Sequence, residues 1–256
     1  MKTPRLVAAA LCAALLAFAL PAGSRADDFS KEQRSAIEKI VHDYLLSHPE
    51  ILPQAMSELE KRQAAADSVK QKAAVQKYSD LLFNSPDQVT LGNPKGNVTL
   101  VEFFDYNCPY CKHAMSDMLT LLKSDANLKV VLKEFPVLGQ GSEEAARVAV
   151  AVRMQDKSGK KYLEFHKKLL GSRGRADGAH ALAVAKEVGV DMTRLQKDLK
   201  SPEVEKTLNQ DLDLAKALGM NGTPSYVVGN EVVVGAIGLD GLKTKINESR
   251  CGKASC

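Results

Sequence analysis

The chain has 256 residues, 45% of them hydrophobic and 26% charged, with a formal net charge of +4. This composition excludes a disordered or collagenous chain, and the length leaves ample material to bury a core in one large domain or two small ones. Five cysteines are too few for a miniprotein built on disulfides, and +4 is too weak a charge to argue for a nucleic-acid partner.

Residues 1–26 read as a secretory signal. Lys2 and Arg5 give a positive start, and residues 6–20 form an apolar run that is short for a membrane span. Ser24-Arg25-Ala26 then supplies small residues for cleavage before Asp27. An uncleaved N-terminal anchor is the alternative. Cleavage removes Cys12 and takes 35 basic residues to 32, against 31 acidic, so the charge falls to +1. The mature chain is then expected in an exported compartment, the periplasm, where disulfides persist.

Ser30 can cap the next helix, and Gln33 three residues later completes a capping box. Ile37, Ile40, Val41, Tyr44 and Leu45 recur on one helical face, and His48-Pro49 ends or bends the helix. Ile51, Leu52, Ala55, Met56 and Leu59 line a second helical face. Residues 61–77 are rich in Ala, Gln and Lys with few large apolar anchors, which predicts an exposed helical spacer. Residues 27–82 are therefore expected to form a helical arm and linker. Its apolar face must pack on its own domain or on copies of the same chain.

Turn clusters at 84–87 and 92–97 precede VTLVEFF at 98–104, a run of β-branched and aromatic residues with the pattern of a buried strand. Residues 112–123 read as a helix, and 128–135 as a second strand parallel to the first. From Ser142 to about Leu218 the pattern is helical, broken at 171–178. Residues 226–228 and 232–234 flank Gly229-Asn230-Glu231, a hairpin, and a last helix over 239–249 precedes the tail. The order is arm, βαβ, helical block and ββα, an α/β fold.

The chemistry sits at Cys108-Pro109-Tyr110-Cys111, between a predicted strand and a predicted helix. The first turn of a helix offers free N–H groups and the positive end of the dipole to an anion, which favours a thiolate on Cys108. Pro109 suits that turn because its missing N–H loses nothing there. Cys108 is thus the expected exposed nucleophile and Cys111 the resolving thiol. Zinc and copper sites share the spacing, but no second such pair accompanies it, so redox chemistry is preferred and no metal site is expected. His113 reads as solvated or packed.

Gly222-Thr223-Pro224-Ser225 stands just before the hairpin. A Pro entering a strand cannot donate to the ladder. A cis Thr223–Pro224 bond would free the backbone of residue 223 for pairing with a bound peptide; an ordinary trans proline is the alternative. Glu102 lies mid-strand, six residues before Cys108. Buried, its carboxyl would have a raised pKa and accept the proton of Cys111; otherwise it faces outward. Lys133 either pairs with it or lies on the surface. Cys251 and Cys256 form a local disulfide or remain thiols at a frayed end.

On Val101-Glu102-Phe103-Phe104-Asp105-Tyr106-Asn107-Cys108-Pro109-Tyr110-Cys111 and Gly222-Thr223-Pro224-Ser225-Tyr226, the chain resembles the DsbA-like branch of the thioredoxin superfamily over about 84–250. The resemblance implies a thioredoxin fold over 83–256, with a helical domain inserted at about 140–200. It implies Cys108 and Cys111 as the redox pair, a cis Pro224, Glu102 as the buried acid, and Pro109, Tyr110, Thr223 and Pro224 facing substrate. The arm is similar to the oligomerising arm of ScsC-like proteins and related trimeric isomerases, which implies a homo-oligomer, a trimer ahead of a dimer.

Implied partners are misfolded or reduced exported proteins and a membrane thiol reductase or oxidase. No cofactor is implied beyond the redox-active pair, with Cu(I) on its two thiolates as a further reading. Thr223 before the proline and the arm favour a disulfide isomerase or reductase. Pro109 resembles the oxidase and Tyr110 the isomerases, so disulfide oxidase stays open as the alternative.

Overall fold

In the computed structural model, which describes residues 29–156 and 158–256, the chain divides into two units, Met1–Leu59 and Glu60–Cys256. The signal read at 1–26 lies outside the described residues. The first unit carries α1 (Lys31–Ser47) and the start of α2 (Ile51–Lys77). The capping box at its head is present: the Ser30 hydroxyl accepts from the Gln33 N–H at 3.2 Å, and Gln33 Oε1 accepts from the Ser30 N–H at 2.9 Å. The helix stops at Ser47 because Pro49 disfavours helical backbone at His48, whose ring stacks on Tyr44. No residue of α1 is buried, and Ile40 and Tyr44 are 66% and 52% exposed.

The second unit begins earlier than the sequence suggests. Residues 61–67 are exposed, as expected of a spacer, but the end of α2 is not. Gln71 Nε2 donates to the Leu218 carbonyl at 3.1 Å, and Val75 is buried. Leu82, on α3 (Ser79–Phe83), is buried in the same cluster. The second unit thus takes in the end of α2 and α3 from Glu60 on, where the sequence reading grouped 27–82 as arm and linker. Ala74, Val75, Tyr78 and Leu82 make a short apolar stripe that the Lys- and Gln-rich residues before it hide in a sequence window.

A five-stranded sheet forms the centre, in the order β1-β3-β2-β4-β5. Its strands are β1 (Val89–Gly92), β2 (Val98–Phe104), β3 (Leu128–Glu134), β4 (Ser225–Val228) and β5 (Glu231–Val234). β2 and β3 run parallel; the other neighbours are antiparallel. β2 lies between β3 and β4 with both faces covered, which is why apolar residues point to both of its sides. β1 escaped the sequence reading because its alternation spans only four residues between two turn clusters, too short a run to mark a strand. Its last residue must be glycine: Gly92 has φ +74°, and a Cβ there would stand 2.5 Å from the Leu128 carbonyl oxygen.

Side chains alternate along β2. Leu100 and Phe104 enter one core with α4 (Pro109–Ser124) and α10 (Gly238–Cys251). Val101 and Phe103 enter the other, with α2, α3 and α9 (Pro202–Ala217). Between β3 and α9 run α5 (Gln140–Gln155), α6 (Lys160–Gly171), α7 (Gly178–Glu187) and α8 (Met192–Asp198), which extend the first core past the edge of α4. This is the thioredoxin arrangement with a helical insertion that the resemblance implies.

Lys133 neither pairs with Glu102 nor lies on the surface. Leu132 is the residue opposite Glu102, so Lys133 points to the other face of the sheet. There its Nζ meets Asp211 Oδ1 of α9 at 3.0 Å, with both side chains fully buried. Gln88 Nε2 donates to the same oxygen at 2.7 Å. Removing one partner strands the other charge in the core. Lys133→Met is expected to lower stability by about 3–5 kcal/mol, and Lys133→Met with Asp211→Leu to recover most of that loss, measured by chemical denaturation.

Candidate active site

β2 ends at Phe104, and the chain turns through Asp105–Asn107 into α4. The Asp105 carbonyl accepts from the Cys108 N–H at 3.1 Å and closes that turn. Cys108 is the N-cap of α4 in extended backbone, Pro109 follows in the first turn, and no side chain caps the terminus. Its free N–H groups and positive dipole end are thus left for an anion at the sulfur. Cys108 and Cys111 are both free thiols.

The Thr223–Pro224 peptide is cis. It places the Thr223 carbonyl against Cys108, whose Sγ donates to that oxygen at 3.1 Å. This loop covers the sulfur, so the exposed Cys108 of the sequence reading is corrected to a nearly covered one, 4% exposed against 0% for Cys111. Tyr110, between them, is 65% exposed.

Cys111 sits one turn into α4. Burial pushes its thiol far above the ordinary range, and the nearby Glu102 and Cys108 charges add to the effect; a backbone hydrogen bond from Asp105 opposes it. A thiol held that high gives up its proton only to a base placed beside it. Glu102 is buried on the face of the sheet beneath α4, opposite Tyr226 of β4. Burial pushes its carboxyl up to about 8, and Asp117 on α4 adds to the shift. A carboxyl in that range can take or return a proton near neutral pH.

Two loop residues were legible as part of a motif but not by role. Asp105 is buried and accepts four hydrogen bonds: Oδ1 from the Asn107 N–H at 2.7 Å and the Ser142 hydroxyl at 2.7 Å, Oδ2 from the N–H groups of Val137 at 2.8 Å and Leu138 at 3.0 Å. Asn107 pairs with the backbone of Ala176 in both directions, Oδ1 accepting from its N–H and Nδ2 donating to its carbonyl, each at 2.8 Å. Its Nδ2 also donates to Ser142 Oγ at 2.9 Å. Apart from the Asn107 N–H that Asp105 accepts two residues on, their partners lie 32 to 69 residues away, so no local pattern announces them.

Tyr106 points into a second polar cluster, with Glu134, Tyr162 and His166. Tyr162 Oη donates to Glu134 Oε1 at 2.7 Å. Burial raises the Glu134 carboxyl well above the usual carboxylate range and holds the His166 ring down to about 3, so it opposes charge on both groups.

Cys251 and Cys256 are joined across a Cα–Cα distance of 6.4 Å on the exposed tail. The preceding Arg250 bonds Asp125 Oδ2 at 2.6 Å, past the C-terminal end of α4, about 24 Å along that helix from Cys108. The tail disulfide is thus outside the dithiol site. His113 stays with its own helix, its Nδ1 3.0 Å from the Pro109 carbonyl.

Residues 99–247 match the DSBA-like thioredoxin domain family, and residues 33–66 match the family described as the copper resistance protein ScsC N-terminal domain. Among solved structures, the chain is 46% identical to a thioredoxin-like oxidoreductase from Silicibacter pomeroyi, covering 67% of this chain and 96% of that one, with a TM-score of 0.63. It is 32% identical to the thiol-disulfide exchange protein alpha-DsbA2 from Wolbachia pipientis, over 72% and 97% of the two chains, with a TM-score of 0.66. A Proteus mirabilis ScsC structure in a transitional conformation covers 88% of this chain and 98% of its own at 27% identity and a TM-score of 0.63. The chain also matches the Na(+)/H(+) antiporter NhaA 1 of Salinispora arenicola at 26% identity, but spans only 26% of that protein's length. With a dithiol at a helix start facing a cis-proline, and a match across more than half its length, the chain belongs to the DSBA-like thioredoxin domain family, carries an ScsC N-terminal domain, and is a thiol–disulfide oxidoreductase of that type.

Proposed function

We propose that the protein is a periplasmic disulfide isomerase or reductase of exported proteins, working from its dithiol form. The observation that carries this reading is the Cys108 sulfur at the head of α4, 3.1 Å from the Thr223 carbonyl of the cis peptide. A substrate strand laid along residue 223 brings its disulfide to that sulfur.

Cys108 as thiolate attacks one sulfur of a substrate disulfide. A mixed disulfide forms, and the other substrate sulfur leaves as a thiolate and takes a proton. In isomerisation a second substrate thiolate attacks the mixed disulfide, makes a new substrate disulfide and restores the dithiol. In reduction Glu102 takes the proton of Cys111, which attacks Cys108; the substrate leaves reduced and the protein oxidised. A membrane thiol reductase then returns two electrons. Oxidation of substrates is the same path in reverse and stands as the alternative direction.

The arm favours isomerisation. Ile37, Ile40, Val41 and Tyr44 are exposed along α1 in the single chain. Burying that stripe between copies makes a homo-oligomer, a trimer by likeness to ScsC-type arms, and sets several dithiols around one misfolded chain. Scrambled-ribonuclease refolding tests this, with the full chain beside Ile40→Lys/Tyr44→Lys. The full chain is expected to restore ribonuclease activity. The variant is expected to fall to a monomer by sedimentation velocity and lose most isomerase activity while still reducing insulin. A full chain that cannot refold ribonuclease yet oxidises reduced substrates rapidly supports the oxidase direction instead.

The match of residues 33–66 to a copper-resistance family favours a second reading, Cu(I) bound by the two soft thiolates of Cys108 and Cys111. Stoichiometric Cu(I) titration of the reduced protein, with no insulin reduction, supports that reading over the first.

A further inference from the structure

We propose that Asp105 and Asn107 are positioning residues for Cys108, and that through them the helical insertion is a working part of the exchange site. The inference rests on the thiol–disulfide reading. It starts from the chain's shape at the end of β2: three residues, 105–107, carry the backbone from the sheet to the nucleophile. Such a loop is soft unless something outside it holds each residue.

Two clamps do so. The Asp105 carboxylate is 1% exposed, and its two oxygens take four donors from three separate segments. One donor is the loop itself, at Asn107. Two are the backbone N–H groups of Val137 and Leu138, between β3 and α5. The fourth is the hydroxyl of Ser142 in the first turns of α5. A carboxylate offers about four acceptor positions, so this one is fully used. Asn107 supplies the second clamp. Its amide pairs with Ala176 as a strand backbone would, tying the residue before the nucleophile to the segment between α6 and α7. Ser142 joins the clamps, donating to Asp105 and accepting from Asn107.

The consequence is specific to the reaction. Attack on a disulfide needs the sulfur in line with the S–S bond, and small displacements of a reacting atom are costly. Cys108 has its backbone N–H on the Asp105 carbonyl and its sulfur against Thr223. The clamps therefore set one end of that span and the cis loop the other. The same carboxylate fixes the backbone of Val137 and Leu138, two residues that are 43% and 46% exposed.

Asparagine at 105 cannot replace the acid. Whichever way its amide turns, its NH2 faces at least one backbone N–H, of Asn107 or of Val137 and Leu138, and a backbone donor cannot reverse. Asn107→Ala is the milder change, removing one clamp without stranding a charge.

The test uses the full chain. Asp105→Asn and Asn107→Ala are compared with wild type in insulin reduction, and in reaction of the reduced protein with oxidised glutathione, which needs no extended binding surface. Positioning predicts that kcat for insulin and the glutathione rate fall about 10–100-fold in Asp105→Asn and about 3–10-fold in Asn107→Ala, with KM for insulin within twofold. If Asp105→Asn does not fold, Asn107→Ala carries the test. A folded Asn107→Ala with wild-type kcat and glutathione rate overturns the proposal, as does a rise in KM alone. A wild-type protein that fails to reduce insulin overturns the underlying exchange reading, a separate result.

Discussion

Cys111→Ala is expected to turn the protein into a trap that stays joined to its substrate through Cys108. The nucleophile can still attack, because the helix terminus and the Thr223 carbonyl act on Cys108 and do not involve Cys111. What disappears is the thiol one turn along the helix that frees the substrate. An intramolecular thiol at that spacing has a very high effective concentration, so release by the protein itself slows by at least about 10³-fold. Adducts that vanish on reduction are expected on a non-reducing gel. Cys108→Ala is expected to abolish both adducts and insulin reduction, since Cys111 is fully buried and cannot reach a protein disulfide in its place. Adducts that persist in Cys108→Ala would falsify the assignment of the nucleophile.

Glu102→Gln is expected to separate two consequences of one buried carboxyl. In the unfolded chain this group ionises near 4.5; in the folded protein burial moves it up to about 8. Between those values the folded state holds a proton that the unfolded state has lost. Stability therefore falls as pH rises from about 4.5 to about 8, and the change levels off above that. The full shift corresponds to about 5 kcal/mol, an upper estimate. Glutamine carries no proton to lose, so the variant is expected to gain on wild type between pH 5 and pH 8, read by denaturant titration at both.

The kinetic effect has the opposite sign. With no base beneath α4, Cys111 keeps its proton, and resolution of the mixed disulfide slows by about 10²-fold. In the wild type that step accelerates as pH rises through about 8; in Glu102→Gln this limb is lost. Stopped-flow measurement of mixed-disulfide decay from pH 6 to 9 checks it, and superimposable profiles would remove Glu102 from the mechanism.

Legibility followed the range of the interactions. β2, α4, β3 and the closing hairpin each carry a dense local signal: a β-branched run, a Pro in a first turn, a Gly-Asn turn between short strands. The capping box at Ser30 is local too, and it forms. β1 and the packed end of α2 were not legible, since each takes its place from partners more than twenty-five residues away: β3 for one, Phe103 and Leu218 for the other.

The site divides along the same line. Cys108, Cys111 and Glu102 sit within ten residues on one strand–helix junction, where helix-start placement singles out the thiols; whether Glu102 faces inward was left open by the sequence, and the structure buries it. Thr223-Pro224 was legible from its awkward place at a strand entrance.

By itself, the sequence determined which atoms can do the chemistry, because thiol spacing, helix-start placement and strand alternation are properties of a few consecutive residues. Only the tertiary structure decided what holds them. It sent Lys133 to Asp211 and away from Glu102, covered the nucleophile with the Thr223 carbonyl, and spent the charge of Asp105 on donors from three segments. Those outcomes depend on which distant residues share a face or a buried pocket, and burial magnifies every charge and hydrogen bond placed there.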